Sequence, residues 1–145
     1  MTEKLSSSSF SSSSSSPPPP RSSVMVIDDE FDIVNSIKLW LQRHGFNAYG
    51  FTDPFLAFEH FQNNSDNIDL VLCDIRMPKM NGYELVKKIK ILQPKTKVIL
   101  MSAFEINDLD FSRVLPSIKI NGFISKPISL KRLVDTIKMS NYNKM

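Results

Sequence analysis

Leu70-Val71-Leu72-Cys73-Asp74-Ile75-Arg76-Met77-Pro78 sets four consecutive apolar residues directly ahead of a carboxylate, with a proline closing the loop that follows. A run without polar alternation has both faces covered, as a parallel strand between two layers of helices does. Val24-Met25-Val26-Ile27, which also ends at aspartate, and Val98-Ile99-Leu100-Met101, which ends at Ser102, read the same way. Phe46 to Phe51 and Gly122 to Ser125 supply two further strands of weaker pattern.

Amphipathic segments separate these strands. Ile33, Ile37, Trp40 and Leu41 recur at helical spacing, as do Leu85, Val86, Ile89 and Leu92, and then Leu130, Leu133, Val134 and Ile137. Thr52 or Asp53 ahead of Pro54 offers a capping side chain and a proline at the first turn of another helix, with Phe55, Phe58 and Phe61 available for packing. A fourth helix runs from about Glu105 to Leu115, its apolar pattern diluted by Asp108 and Asp110 and its end set by Pro116. Strict alternation with short connections predicts an α/β domain, a five-stranded parallel sheet in the order 2-1-3-4-5 flanked by five helices.

Of the 145 residues, 1–23 form a tail of serine runs and the proline run Pro17 to Pro20, too poor in apolar surface to offset the cost of ordering. The remainder suits one domain, residues 24–140, with 141–145 as a short carboxyl tail. Only Leu5 and Phe10 interrupt the polar residues near Lys4, so no signal-peptide core is present, and no apolar stretch of about 18 residues exists to span a membrane. The expectation is a cytoplasmic protein. Cys73 is the single cysteine, which rules out an internal disulfide and reads as a small buried strand residue. Residues 24–145 carry 16 basic against 14 acidic side chains, too even a balance to imply nucleic acid.

In an open α/β sheet, ligands gather beyond the carboxyl ends of the strands. Those ends are Asp28-Asp29-Glu30, Asp74, Ser102-Ala103 and Lys126-Pro127. Converging aspartates repel one another and are costly to desolvate, so their pKa values rise or a cation joins them. An all-oxygen set suits Mg²⁺. His44, at the end of the first helix, and His60 lie away from this rim and are not expected to bind metal. A carboxylate beside a cation and a lysine can attack phosphorus, and Asp74, at the end of a fully apolar strand, is the best-placed nucleophile. Ser102 and Lys126 could each meet a phosphoryl oxygen, or could be a helix cap and a solvated side chain.

Four motifs in order resemble the receiver family of two-component signalling across residues 24–139. They are Val26-Ile27-Asp28-Asp29-Glu30, Asp74-Ile75-Arg76-Met77-Pro78 with Gly82, Met101-Ser102-Ala103 and Phe123-Ile124-Ser125-Lys126-Pro127. The resemblance implies a flavodoxin-like receiver fold of the stand-alone type, an aspartyl-phosphate switch rather than an enzyme. It implies Mg²⁺ held by Asp29, Asp74 and the backbone carbonyl of Arg76, with Asp28 acting through water. Asp74 would take phosphate from a phosphohistidine, Ser102 and Phe123 would switch, and the Lys126-Pro127 bond would be cis. Ser102 stands where threonine is commoner and Phe123 where tyrosine is common, so the hydroxyl and the ring are kept and the tyrosine hydrogen bond is lost. The resemblance further implies that Arg76 and Phe104 occupy two positions that influence dephosphorylation, and their bulk is expected to hinder water attack.

By the same resemblance, Phe31 and Ile128 would meet a sensor histidine kinase or histidine phosphotransfer protein. The fourth helix, fifth strand and fifth helix would address an unknown downstream protein or a second copy on phosphorylation. Lys87, Lys88, Lys90, Lys95 and Lys97 lack interleaved aromatics and read as a solvated face, so direct contact with nucleic acid or membrane is not expected. A flavin or nucleotide enzyme would need a glycine-rich cradle where Asp28-Asp29-Glu30-Phe31 stands, and a haloacid-dehalogenase-type phosphatase would need an aspartate where Arg76 stands. The alternative that keeps the fold is a pseudo-receiver, a binding module not regulated by phosphorylation.

Overall fold

The structure is a computed structural model that describes residues 22–103 and 118–142, with side chains through residue 139. Its elements are β1 (Ser23–Ile27), α1 (Phe31–Arg43), β2 (Asn47–Phe51), α2 (Pro54–Asn64), a short 3₁₀ turn (Ser65–Asn67), β3 (Leu70–Asp74), α3 (Gly82–Leu92), β4 (Lys97–Ser102), β5 (Gly122–Ser125) and α4 (Leu130–Tyr142). Four helices are thus described. The expected helix from Glu105 to Leu115, with Phe104 and Pro116, lies outside the described residues, as do 1–21 of the tail and 143–145. The last helix, α4, runs through Tyr142.

The five strands form one parallel sheet in the order β2-β1-β3-β4-β5. Side chains alternate between its faces, and each strand feeds two cores. Met25, Ile27, Val71, Cys73, Val98 and Leu100 join Ala57 and Phe61 of α2 and Leu85, Val86 and Ile89 of α3. Val24, Val26, Leu70, Leu72, Ile99 and Met101 join Ile37 and Leu41 of α1 and Leu133 and Ile137 of α4 on the other face. This two-sided burial is the physical reason the central runs carry no polar residue.

Local chemistry sets the helix ends. Asp53, rather than Thr52, caps α2 by accepting from Phe55 N–H at 2.9 Å, ahead of Pro54. Asn81 caps α3 through Glu84 N–H at 2.9 Å. The chain leaves α1 through Gly45 at φ 89°, a left-handed conformation glycine adopts freely, and His44 Nδ1 donates to the Trp40 carbonyl at 2.9 Å. The stripes differ from expectation in detail. Val34 is buried in α1 while Ile33 and Trp40 are only partly so, Leu92 is exposed at the end of α3, and Phe55 faces solvent whereas Phe61 is buried.

Candidate functional site

Because all five strands run the same way, their carboxyl ends share one rim. Ile27 pairs with Cys73, Asp74 with Met101, and Ser102 with Ser125, so Asp28, Asp74, Ser102 and Lys126 arrive at one level. The loops are stitched to the strand ends by backbone hydrogen bonds, Ile75 N–H to Met101 O at 3.1 Å and Lys126 N–H to Ser102 O at 2.7 Å. The Lys126-Pro127 peptide bond is cis.

Asp28, Asp29 and Asp74 present carboxylate oxygens that all lie within 4.8 Å of one another. Asp28 and Asp74 are buried and Asp29 is exposed, so the group opens to solvent on one side. Asp28 Oδ1 accepts from Glu30 N–H at 2.9 Å. Its Oδ2 has no hydrogen bond of good geometry, and its compensation is the Lys126 ammonium at 2.6 Å. The same ammonium lies 3.3 Å from Asp74 and 3.9 Å from Glu30. Lys126 therefore pairs first with the acidic group itself.

The electrostatics follow from this crowding. Burial and then the charge of Asp28 push the Asp74 carboxyl up to about 6, against the pull of Lys126 and with a further push from Asp29. Burial works against the charge on Lys126, yet its close contact with Asp28 and the charges of Asp28 and Asp74 hold the ammonium above its ordinary value. Next to Asp74 in the strand, Cys73 is fully buried, donates to the Asp74 carbonyl at 3.3 Å, and has its thiol pushed far up, first by burial. A thiol so placed is inert.

Three oxygen donors around a partly open space suit a hard divalent cation, which would relieve the repulsion recorded in the raised Asp74 carboxyl. Among the described residues this is the one group of three or more acidic, histidine or cysteine side chains able to hold a metal. Neither histidine takes part. His44 stacks on Trp40 at 4.0 Å, and His60 lies 5.1 Å from the rings of both Tyr49 and Phe51. Beside Asp29, a cleft of about 480 Å³ is lined by Ile75, Arg76, Met77, Pro78, Asn81 and Tyr83. Ser102 is buried at the end of β4, and Phe123 of β5 is half-buried against the core that faces α2 and α3.

One contact was not foreseen from the sequence. Lys79, in the loop after Asp74, reaches Asp53 at 2.9 Å and holds the Asp53 carboxyl below its usual range, tying that loop to the start of α2. The two residues are 26 positions apart, Lys79 looks like an ordinary loop charge, and the capping pattern at Asp53 says nothing of a partner.

A family model described as the response regulator receiver domain matches residues 24–138. The sensor kinase CckA of Brucella abortus is 29% identical over 114 residues, covering 79% of this chain and 12% of CckA. The response regulator SaeR of Staphylococcus epidermidis is 30% identical over 111 residues, covering 76% of this chain and 46% of SaeR. The chain thus spans less than half the length of these relatives. A crystal structure of a response regulator receiver domain protein from Clostridium thermocellum superposes with a TM-score of 0.74 at 27% identity, covering 85% of this chain and 96% of that one. Among the described residues no helix is long and apolar enough to cross a membrane.

Proposed function

Since the chain belongs to the response regulator receiver family, we propose that it is a phosphoacceptor switch in which Asp74 takes a phosphoryl group from a phosphohistidine partner with Mg²⁺. The observation that carries this reading is the buried Asp74 carboxyl beside Asp28, Asp29 and Lys126. In the transfer, a carboxylate oxygen of Asp74 attacks phosphorus, the bond to the imidazole nitrogen breaks, and that nitrogen keeps the electron pair. Burial and a rigid strand end hold Asp74 in place and limit water around it. The Lys126 ammonium, released in part from Asp28 and Asp74, neutralises charge developing on the transferred oxygens, and the Ser102 hydroxyl donates to one of them.

Asp28, Asp29, Asp74 and the Arg76 carbonyl would hold Mg²⁺, which supplies charge neutralisation on the phosphoryl oxygens when bound. Ser102 and Phe123 then act as the switch, in a signalling domain rather than an enzyme of the ordinary kind. In this reading the receiver unit takes in residues 24–140 together with Ser23 of β1 and the end of α4 through Tyr142, the segments outside it are extensions, and the protein works in the cytoplasm. Its donor is a sensor histidine kinase or a histidine phosphotransfer protein, and its output is contact with another protein.

Nuclear magnetic resonance with a phosphoryl mimic tests the switch. Beryllofluoride with Mg²⁺ is expected to shift the Ser102, Phe123 and Lys126 signals in the parent and to leave them unchanged in Asp74→Asn. An unchanged parent spectrum would instead favour a binding module that does not respond to phosphorylation.

A further inference from the structure

The opposite, amino-terminal end of the sheet carries a second concentration of charge that the acceptor rim does not use. Between Glu84 and Ala103 the chain has five lysines and no acidic residue. Lys119, just ahead of β5, adds to them, and its charge and that of Lys97, after burial itself, hold the Lys90 ammonium below its ordinary value. Among the described residues, none of Lys87, Lys88, Lys90, Lys95 or Lys119 has a carboxylate within ion-pair distance. Lys90 is explained locally, since it donates to the carbonyls of Thr96 at 2.5 Å and Pro94 at 3.5 Å beyond the end of α3. That role requires neither the other ammonium groups nor the apolar surface between them.

Ile91 is 70% exposed, beside an exposed Leu92, and a cleft of about 360 Å³ opens between Lys90, Ile91, Pro94, Ile118 and Lys119. An apolar centre flanked by two ammonium groups without a carboxylate partner among the described residues is stable in solution but costs self-repulsion, which an anionic partner would relieve. We propose that this cleft docks an acidic peptide segment of a partner protein, one apolar side chain entering between Ile91 and Ile118 while flanking carboxylates meet Lys90 and Lys119. The concavity suits a side chain rather than a flat lipid surface. The large apolar residue at its centre, with no aromatic ring or arginine lining it among the described residues, fits a peptide better than a nucleic-acid backbone.

The probe is a short fluorescein-labelled peptide of glutamates around a single leucine, titrated with the full chain at about 0.15 M salt, where weak long-range attraction is screened. Anisotropy reads affinity, and amide shifts of isotope-labelled protein locate the contact. Saturable binding is expected, with shifts centred on Ile91 and Ile118. Affinity should fall at least about fivefold in Lys119→Glu, and comparably when alanine replaces the peptide's leucine. No saturable binding, or shifts centred elsewhere, overturns the proposal. So does a short DNA duplex or a phosphatidylserine vesicle that binds this face more tightly than the peptide does.

Discussion

Asp74 stands where two demands meet, since its main chain closes β3 within the core while its carboxyl must remain ionisable beside two other aspartates. With that carboxyl pushed up to about 6, the folded chain keeps a proton that the unfolded chain has already released between about pH 4 and pH 6. The metal-free protein is therefore expected to lose about 2 kcal/mol of stability as pH rises through this window. Asp74→Asn should abolish most of the loss, and Mg²⁺ should offset it at neutral pH. Urea unfolding across this pH range measures it, and a flat parent profile would contradict the electrostatic account. Gly82 is equally constrained. Its N–H bonds the Ile75 carbonyl at 2.7 Å, and an added Cβ would sit 2.8 Å from Ile75 Cα and closer still to the Asp74 carbonyl oxygen. Because backbone cannot give way cheaply, Gly82→Ala should cost about 2 kcal/mol and weaken Mg²⁺ binding, and an unchanged unfolding midpoint would refute this.

At the scale of elements, the central strands were legible because a fully covered strand needs an unbroken apolar run. Three of the four rim motifs were legible because each sits where such a run stops, and the fourth follows the weaker strand Gly122 to Ser125. Helix faces were less so. Ile33 and Val34 are adjacent, and their spacing cannot say which points inward. The answer lies across the sheet, where Gly50 of β2 leaves room for the Val34 side chain. Leu92 fits the α3 stripe by spacing, yet it is the last residue of the helix and is exposed. The tie between Lys79 and Asp53 was hidden because it joins two loops that only the fold brings together. The pairing of Lys126 with Asp28 and Asp74 was hidden too, because it depends on three strand ends meeting at one rim, and it leaves the expected contact with a phosphoryl oxygen as a proposal. Asn81 shows how an element end serves the site. It caps α3 and lines the cleft beside Asp29, so Asn81→Ala is expected to cost about 1 kcal/mol by loss of the cap. Chemical denaturation checks this, and a change indistinguishable from zero would mean that solvent replaces the cap.

On the scale of the whole molecule, a parallel sheet has two unlike ends. One end gathers Asp28, Asp29, Asp74, Ser102 and Lys126, and the other gathers lysines around Ile91. The two ends are joined by strands packed on both faces, a frame stiff enough to hold three carboxylates together against their repulsion. The chain spans less than half the length of CckA and of SaeR, so its upstream donor and downstream contact are properties to be measured on this protein itself. The most direct measurement is intact mass after incubation with Mg²⁺ and acetyl phosphate. A single phosphoryl adduct is predicted on the parent, absent from Asp74→Asn and absent when the metal is chelated. An adduct that persists in Asp74→Asn, or none on a parent shown separately to bind Mg²⁺, would contradict the assignment of Asp74 as a self-sufficient acceptor.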